Sequence, residues 1–441
     1  MRPILIFIHA AIVSAGSLED IKHVVLFMQE NRAFDYISIL EPWLVFADSP
    51  TLMFKSMQMA KNTFQQKVTP DISTEAETLL PYYINYLGGN WTESTQCTGA
   101  GQNSLQNNQA CLNNDLNNLW AVNNSPTSWA HFRRQDVPVH FSIAEAWTVA
   151  DMYQESVIAA TEPNRVAWMS GSVNCPGGPQ TPDQGGAVLD NDGTPGGSIT
   201  PRVELTDKSK DAEAGILPQV SWIVGPAELS EHVPYLPRDG AWLQKKVVNA
   251  VVHGAAYNST VLMISYDGFR VPFYIISPWT RGGNVFTEMA DHNPQIIFVE
   301  QWLEALGHKG ATTDQMPVWR RQHMSTLLNA FDFDHASKPD YSIPNLVSAM
   351  TPSEDADGNW DASSICQGKY GEPPTKPPAP FGPENENSNP SELSEEGSKS
   401  VRGYMTEGRY LVFEMNGYAV TAGPNATGVT GTEATSDHRN F

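Results

Sequence analysis

Apolar residues fall in short unbroken runs separated by long polar stretches. Val24–Met28 is such a run, and its continuity predicts a strand buried on both faces of a mainly parallel sheet. Gln219–Val224, Val261–Tyr266 and Val271–Ser277 read as three more strands. Between residues 143 and 158 the spacing of Ala146, Val149, Ala150, Tyr153 and Val157 predicts a helix. Trp242–His253 is an amphipathic helix with Lys245 and Lys246 on its solvated side. Asn293–Leu306 is another, with Pro294 in its first turn and Gly307 as its stop. Residues 50–130 are rich in Asn and Gln with few periodic runs. Residues 371–400 are rich in Pro, Glu, Asn and Ser and read as an extended linker or surface wrap, after which Arg409–Met415 is a candidate last strand. The alternation of strands and helices predicts an α/β domain over residues 16–370, with 401–441 packing back on it.

The N-terminus changes the picture of where the chain works. Arg2 precedes an apolar stretch from Ile4 to Val13, and Val13-Ser14-Ala15 is a small-residue cleavage pattern. Residues 1–15 are therefore expected to be an export signal, and the product to be secreted, with no transmembrane segment. Sequons at Asn90, Asn123, Asn258 and Asn425 agree with a glycoprotein. The net charge of −22 argues against nucleic acid as a partner. Four cysteines are too few for a disulfide scaffold; Cys97 and Cys111 bracket a loop and are expected to pair, while Cys175 and Cys366 either pair or stay free.

Candidate chemistry gathers at element ends. Glu30 and Asn31 follow the first strand, where open α/β sheets collect ligands, and offer hard oxygens to a cation. Asp267 ends another strand in the same way. Thr161 is placed as an N-cap with Pro163 in the first turn, its hydroxyl beside amides that favour anions. Glu228 and His232 are spaced i, i+4, so one helical turn would face both to a site. Asp291 and His292 precede the helix at Asn293. Singly, each has a plain explanation: a polar loop, a cap, or a surface pair. Together they are the parts of a metal-assisted phosphoryl-transfer site. Glu30, Asn31 and Asp267 would hold a divalent metal, Thr161 would attack phosphorus, and His232 and His292 would stabilise phosphoryl oxygens or protonate the leaving alkoxide.

The runs IKHVVLFMQENRAFD, ESVIAATEPNRVAWMSGS, LPQVSWIVGPAELSEH, GFRVPFYIISPWTRGG and ADHNPQIIFVEQWLEA resemble the phosphoesterase family of non-haemolytic, phosphatidylcholine-type phospholipases C and related acid phosphatases. SVRGYMTEGRYLVFEMNGYAV extends the resemblance towards the C-terminus, and the likeness to secreted fungal-type members is close over most of residues 20–420. The resemblance implies an alkaline-phosphatase-like α/β/α sandwich and hydrolysis of phosphoric esters, with a phospholipid or small phosphoester as substrate. Its pattern places the Glu-Asn pair on Glu30-Asn31, the nucleophile on Thr161, the strand-end aspartate on Asp267, the histidine on His232 and the Asp-His pair on Asp291-His292. Arg165, Glu228 and Asp291 are the expected substrate-binding residues.

Two departures stand out. Family members usually follow the aspartate with an acidic residue, a Gly-Gly turn, an Asp-His pair and a long loop; here Asp267 runs directly into Gly268-Phe269-Arg270. A second shortening lies between about Ile199 and Leu217. So short a junction can join the flanking strands only as an antiparallel hairpin, unless it is strained. Phospholipase C activity is the leading expectation. An acid phosphatase, or a catalytically impaired relative that binds phosphate or headgroup, is the alternative.

Overall fold

The computed structural model describes residues 16–34, 66–99, 101–114, 116–173, 205–333, 340–361, 364–366, 401–404, 414–415, 418–422 and 429–433. The expected export signal, Cys175, Asn425 and the 371–400 stretch lie outside them, as does most of the candidate strand Arg409–Met415.

Seven strands form the central sheet: β1 (His23–Gln29), β2 (Thr148–Ala150), β3 (Val220–Val224), β4 (Thr260–Tyr266), β5 (Phe273–Ile276), β6 (Asn284–Phe286) and β7 (Val401–Arg402). Their spatial order is β7-β6-β2-β5-β4-β1-β3. All neighbours are parallel except β5, which runs antiparallel to both β2 and β4. β4 is buried along its whole length, and only His23 of β1 is part-exposed, as continuous apolar strands covered on two faces require.

Helices α1 (Leu105–Leu112), α2 (Pro138–Ala146), α3 (Thr161–Ser170), α4 (Leu205–Ala214), α5 (Pro237–Val252), α6 (Asn293–Ala305) and α7 (Val318–His323) surround it. Successive strand residues point to opposite faces, and β5 shows what each face meets. Phe273 stacks on Tyr153, whose hydroxyl bonds to His292 and Gln295 at the start of α6. The next residue, Tyr274, feels the charge of Glu231, which is bonded to Gln244 of α5. The fold is thus an α/β sandwich. The sheet is flanked by α6, with α3 packed on it, and by α5, with α2 and α4 packed on it. No helix among the described residues is long and apolar enough to cross a membrane.

Two local expectations need correction, and one open alternative closes. The helix expected over 143–158 ends at Ala146, and Thr148–Ala150 is instead a strand between β5 and β6. Ala146, Val149, Ala150 and Tyr153 are buried as expected while Val157 is half-buried, and ladders on both sides satisfy this backbone better than a helix extending beyond the sheet would. Cys97 pairs with Cys366, not Cys111. Cys111 lies on α1 with its thiol buried, and burial pushes its pKa up to about 11, so it is a protonated core group. Finally, the short junction after Asp267 resolves as an unforced hairpin. β4 pairs with β5 in the register Leu262↔Ile276 and Ile264↔Tyr274, and Gly268 takes the turn at φ 136°.

His131 is fully buried beside Tyr83, and burial pushes its pKa down to about 3. Unfolded, it binds a proton near pH 6.5, so between those values the unfolded state holds more protons and stability rises with pH. Unfolding midpoints of the protein and of His131→Gln across this window should diverge, the wild type losing up to about 1.4 kcal/mol more per pH unit of acidification.

Candidate active site

The sheet register builds the centre of the site. β1 and β4 are parallel neighbours with Gln29 opposite Tyr266, so the next residues, Glu30 and Asp267, emerge together at the strands' carboxyl ends. At Asn31 the chain turns through φ 58°, a conformation that asparagine tolerates. That turn aims the Asn31 amide at Asp267, donating to Oδ1 at 2.9 Å. The Asn31 side-chain oxygen accepts from Asn103 Nδ2 at 2.9 Å, in a loop that also meets Arg32 through Thr98. Two carboxylates are thus fixed side by side.

Thr161 stands over them. Its hydroxyl donates to Asp267 Oδ2 at 2.6 Å, and Glu30 Oε1 lies 3.4 Å away as a second acceptor. One turn along α3, Arg165 donates from Nη2 to Glu30 Oε2 at 3.1 Å. Thr161 is the first residue of the helix and Ala160 is the N-cap, which corrects the expected capping role. The cap is displaced because the hydroxyl is taken by the carboxylates, while the buried Asn164 shapes the approach to the helix. Asn164 accepts from the Val157 amide and donates to the carbonyls of Val157 and Ala160 and to Glu155.

Charge in this pocket is unbalanced towards the negative. Burial raises the pKa of Glu30, and the neighbouring Asp267 raises it further; Arg165 and His232 pull it back. Glu155, buried behind the centre, is pushed well above the usual carboxylate range by burial and by Asp267.

His232 therefore lies within electrostatic reach of Glu30. Its Nδ1–H donates to the Val233 carbonyl at 2.6 Å, which leaves Nε2 to accept when the ring is neutral and to donate when it is charged. Glu228 does not share a helical turn with it, contrary to the i, i+4 expectation. A short 3-10 turn ends at Leu229, and Glu231 then takes φ 67°, swinging the chain away from helical geometry. Glu228 still joins the neighbourhood, since Tyr235 feels the charges of both Glu228 and Glu30.

Asp291 and His292 form a separate group. Asp291 accepts from the Asn293 amide at 2.8 Å and pairs with Arg320. His292 is fully buried, its Nδ1 2.9 Å from the Tyr153 hydroxyl, and burial pushes its pKa down to about 3. Among the described residues neither makes a hydrogen bond or ion pair to Glu30, Thr161 or Asp267. His292 stays neutral at ordinary pH and is not a proton donor of the charged kind.

The carboxylate pair answers the chemistry of a hard cation. Glu30, Asp267 and the Thr161 hydroxyl are oxygen donors, and an added positive charge would relieve the repulsion that raises Glu30. Among the described residues no cluster of three or more His, Cys, Asp or Glu is arranged for a metal. Two carboxylates and a hydroxyl are donors of the kind that hard divalent cations take, with water completing the shell.

The model of the Phosphoesterase family matches residues 21–203 and 199–269, together more than half of the chain. The chain is similar to a non-hemolytic phospholipase C of Burkholderia pseudomallei, with 26% identity covering 75% of this chain and 61% of that protein. It is 24% identical to a hemolytic phospholipase C of Pseudomonas aeruginosa, covering 81% and 62% respectively. With phospholipase C A of Mycobacterium tuberculosis it shares 25% identity over 75% of this chain and 80% of that one. The chain thus spans less than two thirds of the first two of these relatives.

Because the buried Asn164 ties the 157–160 approach to α3, Asn164→Leu should destabilise the protein by about 2–4 kcal/mol, read from denaturant midpoints.

Proposed function

The chain belongs to the phosphoesterase family, and from that premise we propose that it is a secreted phosphoric-ester hydrolase of phospholipase C type, using Thr161 as nucleophile. The observation that carries this reading is the Thr161 hydroxyl, 2.6 Å from the Asp267 carboxylate at the start of a ten-residue helix. The names of the relatives support a phospholipid as substrate.

In this reading Thr161 Oγ1 attacks phosphorus and passes its proton to Asp267 Oδ2. The start of α3 and the Arg165 guanidinium favour the charge on the phosphoryl oxygens. His232 gives a proton to the departing diacylglycerol oxygen through Nε2. Water then attacks the phospho-threonine, the neutral His232 takes its proton, and Thr161 regains its own from Asp267 as phosphocholine leaves. A divalent cation on Glu30 and Asp267, when bound, would neutralise phosphate charge and lower the threonine pKa. Asn31 serves through its backbone amide, by fixing Asp267. Glu228 and Tyr235 line the approach on the His232 side.

Secretion is supported by the Cys97–Cys366 disulfide, a bond that persists in oxidising compartments. Exposed Asn90 and Asn258 are available to glycosylation.

Thr161→Ala should lower turnover of a chromogenic phosphodiester and of phosphatidylcholine by on the order of 10³-fold or more, with KM little changed. Equal rates for both proteins would leave a binding relative, and faster turnover of a phosphomonoester than of either diester would mark an acid phosphatase. Independently of turnover, magnesium titrated into the protein calorimetrically should bind, and Glu30→Gln and Asp267→Asn should each weaken it about 10-fold or more.

A further inference from the structure

Three residues proposed to work in the site each follow, in the chain, a buried polar residue. Gln29 precedes Glu30, Glu231 precedes His232, and Tyr266 precedes Asp267. The three inner residues meet on the α5 side of the sheet. Glu231 is fully buried, and its Oε1 accepts from His140 Nε2 at 3.0 Å, Tyr266 Oη at 3.0 Å and Gln244 Nε2 at 2.8 Å. The side chain of Gln29, on the neighbouring strand, donates from Nε2 to the carbonyls of Leu229 at 3.1 Å and Gly240 at 3.4 Å.

Nothing in a phosphoryl-transfer step uses this cluster, yet it is costly to build. It buries a carboxyl, an imidazole and a phenol, and it holds Glu231 at φ 67°, in the left-handed region. Burial and the Glu231 charge keep the Tyr266 hydroxyl protonated, and so a donor. Gly240 is fitted to it as well, since a methyl group there would lie 2.0 Å from Glu231 Cγ.

We propose that Glu231 is a positioning residue: held by Tyr266, His140 and Gln244, it locks the His232 turn to the end of β4 and so sets the histidine ring within reach of Glu30. The proposal rests on the reading of His232 and Asp267 as working residues. Its physical content is that the turn carrying His232 is defined locally by a short 3-10 helix, Ala227–Leu229, and by the Ser230 hydroxyl, which accepts from the His232 amide at 3.2 Å. A three-donor carboxylate then ties that turn to β4, α2 and α5. A displacement of such a group by about 1 Å is enough to cost on the order of 100-fold in rate.

Tyr266→Phe removes one donor and keeps the ring. It should lower kcat on the order of 10-fold with KM changed less than about twofold. In a His232→Ala background the same substitution should change kcat by less than about twofold, because the residue it acts through is gone. Equal losses in both backgrounds would overturn the proposal. A failure of the functional reading is seen separately, as a wild type no faster than Thr161→Ala. In that case the His232 imidazole resonances decide: they should shift in Tyr266→Phe and in Gly240→Ala while far-ultraviolet circular dichroism stays native, and unmoved resonances in folded Tyr266→Phe overturn it.

Discussion

Two carboxylates held side by side are the constraint around which this molecule is arranged. The parallel register of β1 and β4 leaves Glu30 and Asp267 no alternative but to emerge as neighbours. Like charges so placed repel, and burial sharpens the repulsion. What surrounds them reads as a response: a hydroxyl and a backbone amide donating to Asp267, a guanidinium on Glu30, a histidine near enough to be felt. The arrangement keeps unspent negative potential directly beneath the Thr161 hydroxyl, which is where a cation would cancel it.

The fold was legible where burial alone dictates structure. β1 and β4 are unbroken apolar runs, and a strand covered on both faces has no other signature. The stretch after Ile143 misled because a periodic apolar pattern records which positions are buried and not what buries them. There the hydrogen bonds of β5 and β6 decide, and those strands lie more than a hundred residues downstream. The cysteines misled for a similar reason. Cys97 and Cys111 are close along the chain, but the core claims Cys111 and a distant segment supplies Cys366.

Site residues divide along the same line. Glu30, Thr161 and Asp267 sit at element ends and Arg165 one turn into α3, so placing the elements places the residues. Asn164, Glu155, Asn103 and Glu231 were missed, since each acts by contacts that local pattern does not encode. The best available signal was Glu231 itself, an acid directly before His232 in a segment bounded by buried Leu229 and Leu236. Asp291 and His292 show the converse: an Asp-His pair before a helix suggested chemistry, and the structure finds a cap, an ion pair and a neutral ring packed on Tyr153.

The hairpin between β4 and β5 has a wider meaning. Antiparallel neighbours keep their ladder however much chain separates them, so the segment after Asp267 can grow or shrink without the sheet registering the change. This one junction opens directly beside Asp267 and the candidate site. Evolution thus has, on a scaffold fixed by its ladders, a free edge at which the walls around the carboxylate pair can be remade while the floor stays in place.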